Sequence, residues 1–252
     1  ERLVGSEMCI RDSNNMKKIT LALLSVLLIT ALGGCKSTTP QTADKNVKPA
    51  LMWFDAEANF ERFSHPDSID YYLTKIKSLG FTHAVGDVRP ITGEVLFDTE
   101  FAPKMREWQG YERKDFDYLG HFIKKAHELG IEVHASLNVF VAGHNYFDRG
   151  LVYSTNPEWA SVVYTPEGMT SITNEKKKYS AMVNPINEDF RTHILNVLKD
   201  LVKRYPDLDG LMLDRVRYDG ISADFSDISR QQFEAYICLL YTSPSPRDAH
   251  ES

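Results

Sequence analysis

Cysteine is scarce in this chain of 252 residues: there are three, and none lies between Pro49 and Ile237. The long central part therefore cannot be held together by disulfide bonds. A segment of this length can bury a hydrophobic core without covalent cross-links. We expect its stability to come from side-chain packing.

Basic surface, metal-ligand motifs and phosphate-binding turns are also missing. The formal net charge is -6 and the pI is near 5.8, so we expect no nucleic-acid partner and interpret residues 176–178, Lys-Lys-Lys, as a solvated loop. There is no His-Glu-x-x-His motif, and His and carboxylates do not cluster at helical ligand spacing. We predict neither a metal site nor a cofactor.

The two ends of the chain are set aside from the fold. Residues 1–15 precede the plausible initiator Met16 and show no helical or strand period. Residues 238–252 interrupt an amphipathic helix with Ser-Pro-Ser-Pro. Both segments look like translated sequencing-adapter read-through. The alternative is a disordered native tail, and on either interpretation these ends carry no fold.

Residues 16–35 have the pattern of a bacterial lipoprotein signal peptide. Two lysines follow Met16, and the apolar run of residues 19–32 is shorter than the roughly 20 residues that a membrane span needs. Leu-Gly-Gly-Cys at its end resembles a lipobox, which predicts lipidation at Cys35; the alternative is an ordinary signal peptide with an incidental cysteine. Residues 36–48 are interpreted as a flexible tether, and the anchor predicts a bacterial envelope location, with the outer membrane favoured by Lys36.

The central part alternates strand and helix patterns. Short apolar runs predict strands, apolar residues at helical spacing predict helices between them, and Gly80 and Gly130 mark helix ends. The predicted strands are 50–54, 81–88, 131–139 and 211–213; the predicted helices carry apolar stripes over 69–79, 116–129, 190–202 and 225–237. Such alternation requires right-handed crossovers and a parallel sheet, so the fold class is α/β.

Long excursions follow strands rather than helices, at residues 89–114 and 140–187. Barrel enzymes elaborate this catalytic face of the sheet. A doubly wound open sheet is the rival, but no Gly-rich phosphate turn follows the first strand. Residues 49–237 are therefore predicted to be the N-terminal half of a (β/α)8 TIM barrel, and we expect such a segment alone to aggregate because its sheet would have an open edge.

The most informative motif is Asp-Arg-Val-Arg-Tyr at residues 214–218, directly behind the apolar run 210–213. A buried strand that ends in a carboxylate and two guanidinium groups places charge at the open end of a parallel sheet, where barrel enzymes hold their active sites. This pattern predicts an active site at Asp214.

Four sequence blocks carry a resemblance to a known family. They are Trp-Phe-Asp-Ala-Glu at 53–57, Asp-Val-Arg-Pro-Ile-Thr-Gly-Glu at 87–94, His-Ala-Ser-Leu-Asn at 134–138 and Asp-Gly-Leu-Met-Leu-Asp-Arg-Val-Arg-Tyr at 209–218. In this order they resemble the signature blocks of the family 10 glycosyl-hydrolase-like lipoproteins, relatives of the α-amylase-type barrels. The resemblance implies a retaining O-glycosyl hydrolase with a carbohydrate substrate. The alternative is a non-catalytic glycan-binding lipoprotein on the same scaffold.

Glycoside cleavage needs one carboxylate at the anomeric carbon and one protonated carboxyl group at the leaving oxygen. Asp214 is the candidate for the first, with Arg217 or Arg89 beside it to keep it ionised; the alternative is a structural pairing with Arg215 or Arg217. The amylase analogy places the acid beyond Ile237, so we expect this chain by itself to be inactive. Arg89 could contact substrate or only stabilise a turn.

Other polar residues at strand ends are candidate sugar ligands. Asp87 could bind a hydroxyl group, although pairing with Arg89 is favoured, and Asn138 can both donate and accept. His144 is preferred over His134, which is interpreted as a core histidine. Asp55 and Glu57 are candidate subsite residues or loop caps. Aromatic residues that could stack on sugar rings are Trp108, Tyr111, Tyr146 and Trp159, whereas Trp53 is interpreted as core.

Overall fold

The computed structural model describes residues 48–242, with side chains to residue 238. The predicted signal peptide, the lipidation site Cys35 and the tether up to residue 47 lie outside the described residues, as do segment 1–15 and residues 243–252 of the predicted tail. Residues 238–242 of that tail belong to the helix Asp227–Thr242, so the prediction that the tail carries no fold is wrong there. Within the described part, no helix is long and apolar enough to cross a membrane.

Four parallel strands form the central sheet, in the order β1-β2-β3-β4. Each strand pairs with the next one along the chain because a helical crossover returns the chain to the same end of the sheet. The strands are β1 (Leu51–Phe54), β2 (His83–Arg89), β3 (Glu132–Asn138) and β4 (Gly210–Asp214). The helices are α1 (Pro66–Ser78), α2 (Tyr118–Glu128), α3 (Glu188–Arg204) and α4 (Asp227–Thr242).

One face of the sheet packs against helices. Phe54 of β1 contacts Phe63 and Phe122, with ring centroids 5.0 and 5.8 Å apart. At Gly86 of β2, an added Cβ would lie 3.0 Å from the hydroxyl of Tyr118. This close approach lets α2 lie directly on the sheet and bury its apolar stripe, which supplies much of the core.

The opposite face carries polar residues near the strand ends. The register aligns Asp214 with Asn138 and Asp87 with Ser136. Successive side chains of a strand point to opposite faces of the sheet, so these four point away from the helices. Trp53 of β1 lies on this same face and is 43% exposed. The prediction that Trp53 belongs to the core is therefore wrong: β1 is an edge strand of the described sheet, and no described element covers that face over it.

The two long excursions contain short antiparallel strand pairs that the sequence analysis treated as loops. They are Glu107–Trp108 with Tyr111–Glu112, Val141–His144 with Ser180–Met182, and Val162–Thr165 with Gly168–Ser171. Four 3-10 turns complete the description, at Arg62–Ser64, Leu151–Tyr153, Pro157–Trp159 and Ile172–Asn174. The excursions are thus folded layers rather than open loops, and they build one side of the site.

The parallel α/β arrangement is confirmed, and each predicted strand overlaps the observed one with ends within two residues. Gly80 and Gly130 follow α1 and α2 with φ of 85° and 64°, the left-handed conformation that ends a helix at glycine. The described sheet has four strands and is not closed, so the TIM-barrel part of the prediction is not confirmed by this structure.

Candidate functional site

Asp214 ends β4 and lines a small pocket of about 110 Å³, here called the Asp214 pocket. Its Oδ1 accepts a hydrogen bond of 2.6 Å from the backbone amide of Arg215. The pocket is also lined by Trp53, Asp55, Glu57, Asp87, Pro90, Ile91, Asn138, Tyr179 and Arg215. Four of the residues predicted as ligands, Asp55, Glu57, Asp87 and Asn138, are therefore brought to Asp214.

Arg215, rather than Arg217, is the arginine of this pocket. Its Nε donates to Oδ1 of Asn138 at 2.8 Å. Its φ of 54° is unusual for a residue with a side chain and turns the chain at the strand end. Arg217 donates to the carbonyl of Tyr218 and does not line the pocket, which corrects its predicted position beside Asp214.

Arg89 is fully buried and does not reach the pocket. The register shifts between Asp87 and Arg89, where a β-bulge sets Arg89 opposite Leu137. The bulge turns its side chain to the helix face, where the guanidinium lies 6.0 Å from the ring of Phe190 and donates to the carbonyls of Asn138 and Val141. The prediction that Arg89 contacts substrate or Asp214 is wrong, because strict alternation does not hold across a bulge.

Asp87 is buried and lines the Asp214 pocket without pairing with Arg89. Burial raises the pKa of Asp87 to about 8, with a further rise from the carboxylate of Asp55, while backbone amides of Ala56 and Arg89 act in the opposite direction. Its Oδ1 has no hydrogen-bond partner. The favoured pairing with Arg89 is wrong, since the bulge separates the two groups; burial instead favours the protonated form of Asp87.

Asn138 connects two strands through its side-chain amide. Its Nδ2 donates to the carbonyl of Arg89 at 3.0 Å, and its Oδ1 accepts from Arg215. The side chain is 6% exposed. Its role as a sugar ligand stays a prediction, but both of its polar atoms already hold the edge of the pocket in place.

Glu57 lies where the Asp214 pocket meets a second, larger one. Its side chain is 10% exposed, its Oε2 accepts from the hydroxyl of Tyr179 at 3.1 Å, and its Oε1 is buried without a partner. Burial raises the pKa of Glu57 to about 7; the hydrogen bond from Tyr179 lowers it, and the nearby Asp55 carboxylate raises it.

Asp55 is exposed, and its Oδ1 caps the following turn by accepting from the amide of Ala58 at 2.7 Å.

The second pocket, here called the aromatic pocket, has a volume of about 570 Å³. Aromatic rings form most of its wall: Phe60, Trp108, Tyr111, His144, Tyr146, Phe147 and Tyr179. Tyr146 is 62% exposed and Phe147 is 51% exposed, so both offer ring surface to a ligand. Large, rigid rings of this kind are the groups on which sugar faces pack.

Three predicted residues of the excursions have defined positions. His144 is buried with its ring 4.6 Å from that of Tyr179 and 4.5 Å from that of Phe147, and burial lowers its pKa, so it is a neutral part of the pocket wall. Trp108 lines the pocket although it is 7% exposed. Trp159 packs against Phe190 with ring centroids 5.1 Å apart; it belongs to the core and is not a sugar platform.

Sequence reasoning missed Tyr179 and Phe147. Tyr179 directly follows the lysine run interpreted as a solvated loop, and it reaches Glu57 only because Ser180–Met182 pairs with Val141–His144. No spacing in the sequence indicates that pairing. Phe147 directly follows Tyr146, which is one of the candidate aromatic residues, so considering every aromatic residue of that loop would have included it.

One group of residues within the described part could hold a metal ion: His83, Glu132 and His134, whose potential ligand atoms lie within 4.8 Å of one another. It lies at the other end of the strands from Asp214. The two imidazole rings are stacked, 5.5 Å apart and inclined by 16°, and nearly parallel rings cannot both direct a nitrogen at one ion without rotating. Among the described residues, those that line the Asp214 pocket and the aromatic pocket form no such group.

A parallel α/β sheet that carries carboxylates at its carboxyl-terminal edge, beside an aromatic-lined pocket, defines an α/β protein with a ligand site where such sheets commonly bind their ligands. Residues 52–238 match the family described as Glycosyl hydrolase-like 10. The chain therefore belongs to the glycosyl hydrolase-like 10 family, and the family resemblance is confirmed. Such membership supports a function related to glycans.

The chain spans a small part of the S-layer-related protein and of the fucosidase to which it is similar. An S-layer-related protein of Niallia circulans is 32% identical over 202 residues, which cover 75% of this chain and 12% of that protein. The α-L-fucosidase isoenzyme 2 of Paenibacillus thiaminolyticus has a TM-score of 0.50 at 15% identity, covering 75% of this chain and 26% of its own. A hypothetical protein of Ruminiclostridium thermocellum has a TM-score of 0.48 at 15% identity, over 78% of this chain and 93% of its own. At 15% identity the fucosidase shows a shared fold alone.

Proposed function

We propose that the protein is a glycoside hydrolase that acts on O-glycosidic bonds of a polysaccharide or glycan, with Asp214 as the nucleophile of a retaining reaction. The observation that carries the proposal is the position of Asp214: it ends a parallel strand and lines a pocket that continues into an aromatic pocket. A sugar bound on the rings would present a neighbouring unit to this carboxylate.

The charges around Asp214 suit such a reaction. Retaining hydrolysis needs a carboxylate that attacks the anomeric carbon and a second carboxyl group that keeps its proton until it reaches the leaving oxygen. Burial raises the pKa of Asp87 to about 8 and that of Glu57 to about 7, and both residues line the Asp214 pocket. Burial thus favours the protonated form of Asp87, the more strongly shifted of the two, as a group that donates a proton to the leaving oxygen requires.

Arg215 and Asn138 position the reacting carboxylate. The backbone amide of Arg215 donates to Asp214, while its side chain is held by Asn138 on the neighbouring strand. A carboxylate whose rotamer is restricted in this way loses less freedom when it attacks a sugar carbon. Both residues serve as positioning residues in the proposed reaction.

A glycan-binding protein without catalysis is the second candidate. It is favoured by the difference between the two pockets, since the aromatic pocket is large and the Asp214 pocket is small. The Niallia circulans relative is named an S-layer-related protein, a name that does not mention hydrolysis. A fold alone does not decide between these functions.

The experiment that separates the two candidates is a hydrolysis screen of the full-length protein on α-glucans, β-glucans and peptidoglycan fragments. We expect release of reducing ends, and loss of that activity by roughly 10³-fold or more in Asp214→Asn. Asp207→Asn, an exposed aspartate before the same strand, is the matched control and should keep the rate. Binding without hydrolysis on every substrate would support the second candidate.

The complete fold and the location of the protein are proposed from the sequence. We propose that the four parallel strands belong to a (β/α)8 barrel, which is supported by their sequential order and by the fold shared with the fucosidase. We also propose that Cys35 carries lipid and anchors the protein in a bacterial envelope, which is supported by the lipobox resemblance. Metabolic labelling with an alkyne fatty acid, lost in Cys35→Ala, would test the anchor.

A further inference from the structure

The aromatic pocket has a one-sided charge. Of the described residues that line it, those with charged side chains are all acidic: Asp55, Glu57 and Glu61. None is Lys or Arg. His144 adds no positive charge at neutral pH because burial lowers its pKa. A ligand that enters this pocket therefore meets negative charge and aromatic rings together.

Glu57 is the group that points to a ligand. Its side chain is nine-tenths buried in the wall of the pocket, and one of its two oxygens, Oε1, has no hydrogen-bond partner. A buried carboxylate oxygen without a donor is unfavourable, and an incoming N–H group would satisfy it. The other oxygen accepts from Tyr179, so the carboxyl group is held in one orientation.

The rings of the pocket are arranged for a cation as well as for a sugar face. Aromatic rings attract ammonium groups through their negative faces, most strongly where water is excluded. Trp108 already has a cation on its ring, since the guanidinium of Arg149 lies 5.3 Å from the ring centroid. That arginine is bound by Glu94 and Glu107 and does not line the pocket, although its charge, like that of Arg215, lowers the pKa of Glu57.

We infer that the aromatic pocket binds a positively charged sugar, namely a hexosamine unit with a free amino group, as the part of the glycan next to the bond at Asp214. Its ammonium group would donate to Glu57 Oε1, and its ring would pack on the exposed faces of Tyr146 and Phe147. An N-acetylated or neutral sugar could use the rings but would lack the charge. This inference rests on the proposed glycan-directed function and names the class of its substrate.

The test is a calorimetric comparison of three tetrasaccharides with the full-length protein: β-1,4-linked glucosamine, its N-acetylated form and the corresponding glucose oligomer. We expect the glucosamine oligomer to bind roughly tenfold or more tightly than the others at low salt, since a hydrogen bond to a charged partner contributes this much. The preference should shrink as salt is added. Equal affinities for all three, or a preference for the N-acetylated form, would overturn the inference.

Variants assign the preference to Glu57. Glu57→Gln keeps the shape of the side chain and should bring the affinity for the glucosamine oligomer down to that for the N-acetylated one. Glu167→Gln, an exposed glutamate of the Val162–Ser171 hairpin, is the control and should change nothing. Because Glu57 is buried, Glu61→Gln at the exposed rim provides a second variant, with a partial loss expected. A preference unchanged in both variants would contradict the assignment.

Failure of this inference and failure of the proposed reaction give different results. Hydrolysis that depends on Asp214 but shows no preference for amino sugars would support the proposed enzyme activity and contradict the proposed substrate class. A preference for amino sugars that depends on Glu57, without any hydrolysis, would support the proposed binding site and contradict the proposed enzyme activity.

Discussion

Tyr179 donates its hydroxyl hydrogen bond to Oε2 of Glu57 at 3.1 Å, across 122 residues of sequence. This bond joins the end of the first strand to the long excursion after the third. It also brings together the Asp214 pocket and the aromatic pocket, because both residues line both of them. The geometry of the candidate site thus depends on a contact between two distant parts of the chain.

Removal of this hydrogen bond should raise the pKa of Glu57. Because the bond lowers that pKa against the effect of burial, Tyr179→Phe should move it above its value of about 7. The measurement is the pH dependence of the Glu57 side-chain carboxyl ¹³C shift by NMR. Tyr164→Phe, at an exposed tyrosine, is the control. An unchanged or lower pKa in Tyr179→Phe would show that the bond does not favour the ionised form.

The stability of Asp87→Asn relative to wild type should increase with pH. The pKa of Asp87 is about 8 in the folded protein against 3.8 as its ordinary value, so the folded state binds more protons than the unfolded state between these values. Wild type therefore loses stability as pH rises from about 5 to 8, by up to roughly 1.4 kcal/mol per unit, and the neutral asparagine does not.

Urea unfolding of both proteins at pH 5, 6.5 and 8 measures this difference. The control is Asp115→Asn, because Lys104 lowers the pKa of that carboxyl group and its contribution is complete above pH 5. A difference between Asp87→Asn and wild type that stays constant over this range would mean that Asp87 is ionised in the folded protein.

Arg89 should affect stability rather than substrate binding. Its guanidinium is fully buried and donates to the carbonyls of Asn138 and Val141, so Arg89→Lys should leave at least one buried carbonyl without a donor and destabilise the fold by roughly 2 kcal/mol. Arg217→Lys, at an exposed arginine, should change the stability by less than about 0.5 kcal/mol. Chemical unfolding measures both, and equal effects would contradict the buried placement of Arg89.

Gly143 is required for the packing of the segment that carries His144. A Cβ at this position would lie 2.6 Å from Cγ2 of Val152 and 2.8 Å from Cβ of Ala181. We expect Gly143→Ala to destabilise the protein by ~1–3 kcal/mol, as overpacking does. The matched control is Gly220→Ala, where no atom lies within 4 Å of the added carbon. Equal melting temperatures for the two variants would show that the strand pair adapts without strain.

The repeating pattern of strands and helices could be read from the sequence because it depends on local spacing. Apolar stripes ended by Gly80 and Gly130 predicted α1 and α2, and the apolar run before Asp214 predicted β4. The same reasoning placed Asp214, Asp87 and Asn138 at one edge, since the carboxyl ends of parallel strands lie together.

The errors in the site have physical causes that spacing does not show. Arg89 follows Asp87 by two residues, and alternation places both on one face, but a bulge turns the arginine to the other. Arg215, and not Arg217, lies at the Asp214 pocket because the positive φ of Arg215 changes the direction of the chain after the strand. Trp53 was assigned to the core from its strand position, which does not reveal that β1 lies at an edge. Tyr179 depends on long-range pairing within an excursion.

The proposal that Asp214 is the nucleophile is tested most directly by identifying the residue that becomes glycosylated during turnover. The full-length protein would be treated with an activated 2-deoxy-2-fluoro glycoside of the sugar it hydrolyses, digested, and mapped by mass spectrometry. We expect a covalent glycosyl adduct on Asp214 and none in Asp214→Asn. An adduct on a different carboxyl group, or glycoside hydrolysis that proceeds at an unchanged rate in Asp214→Asn, would contradict the proposal.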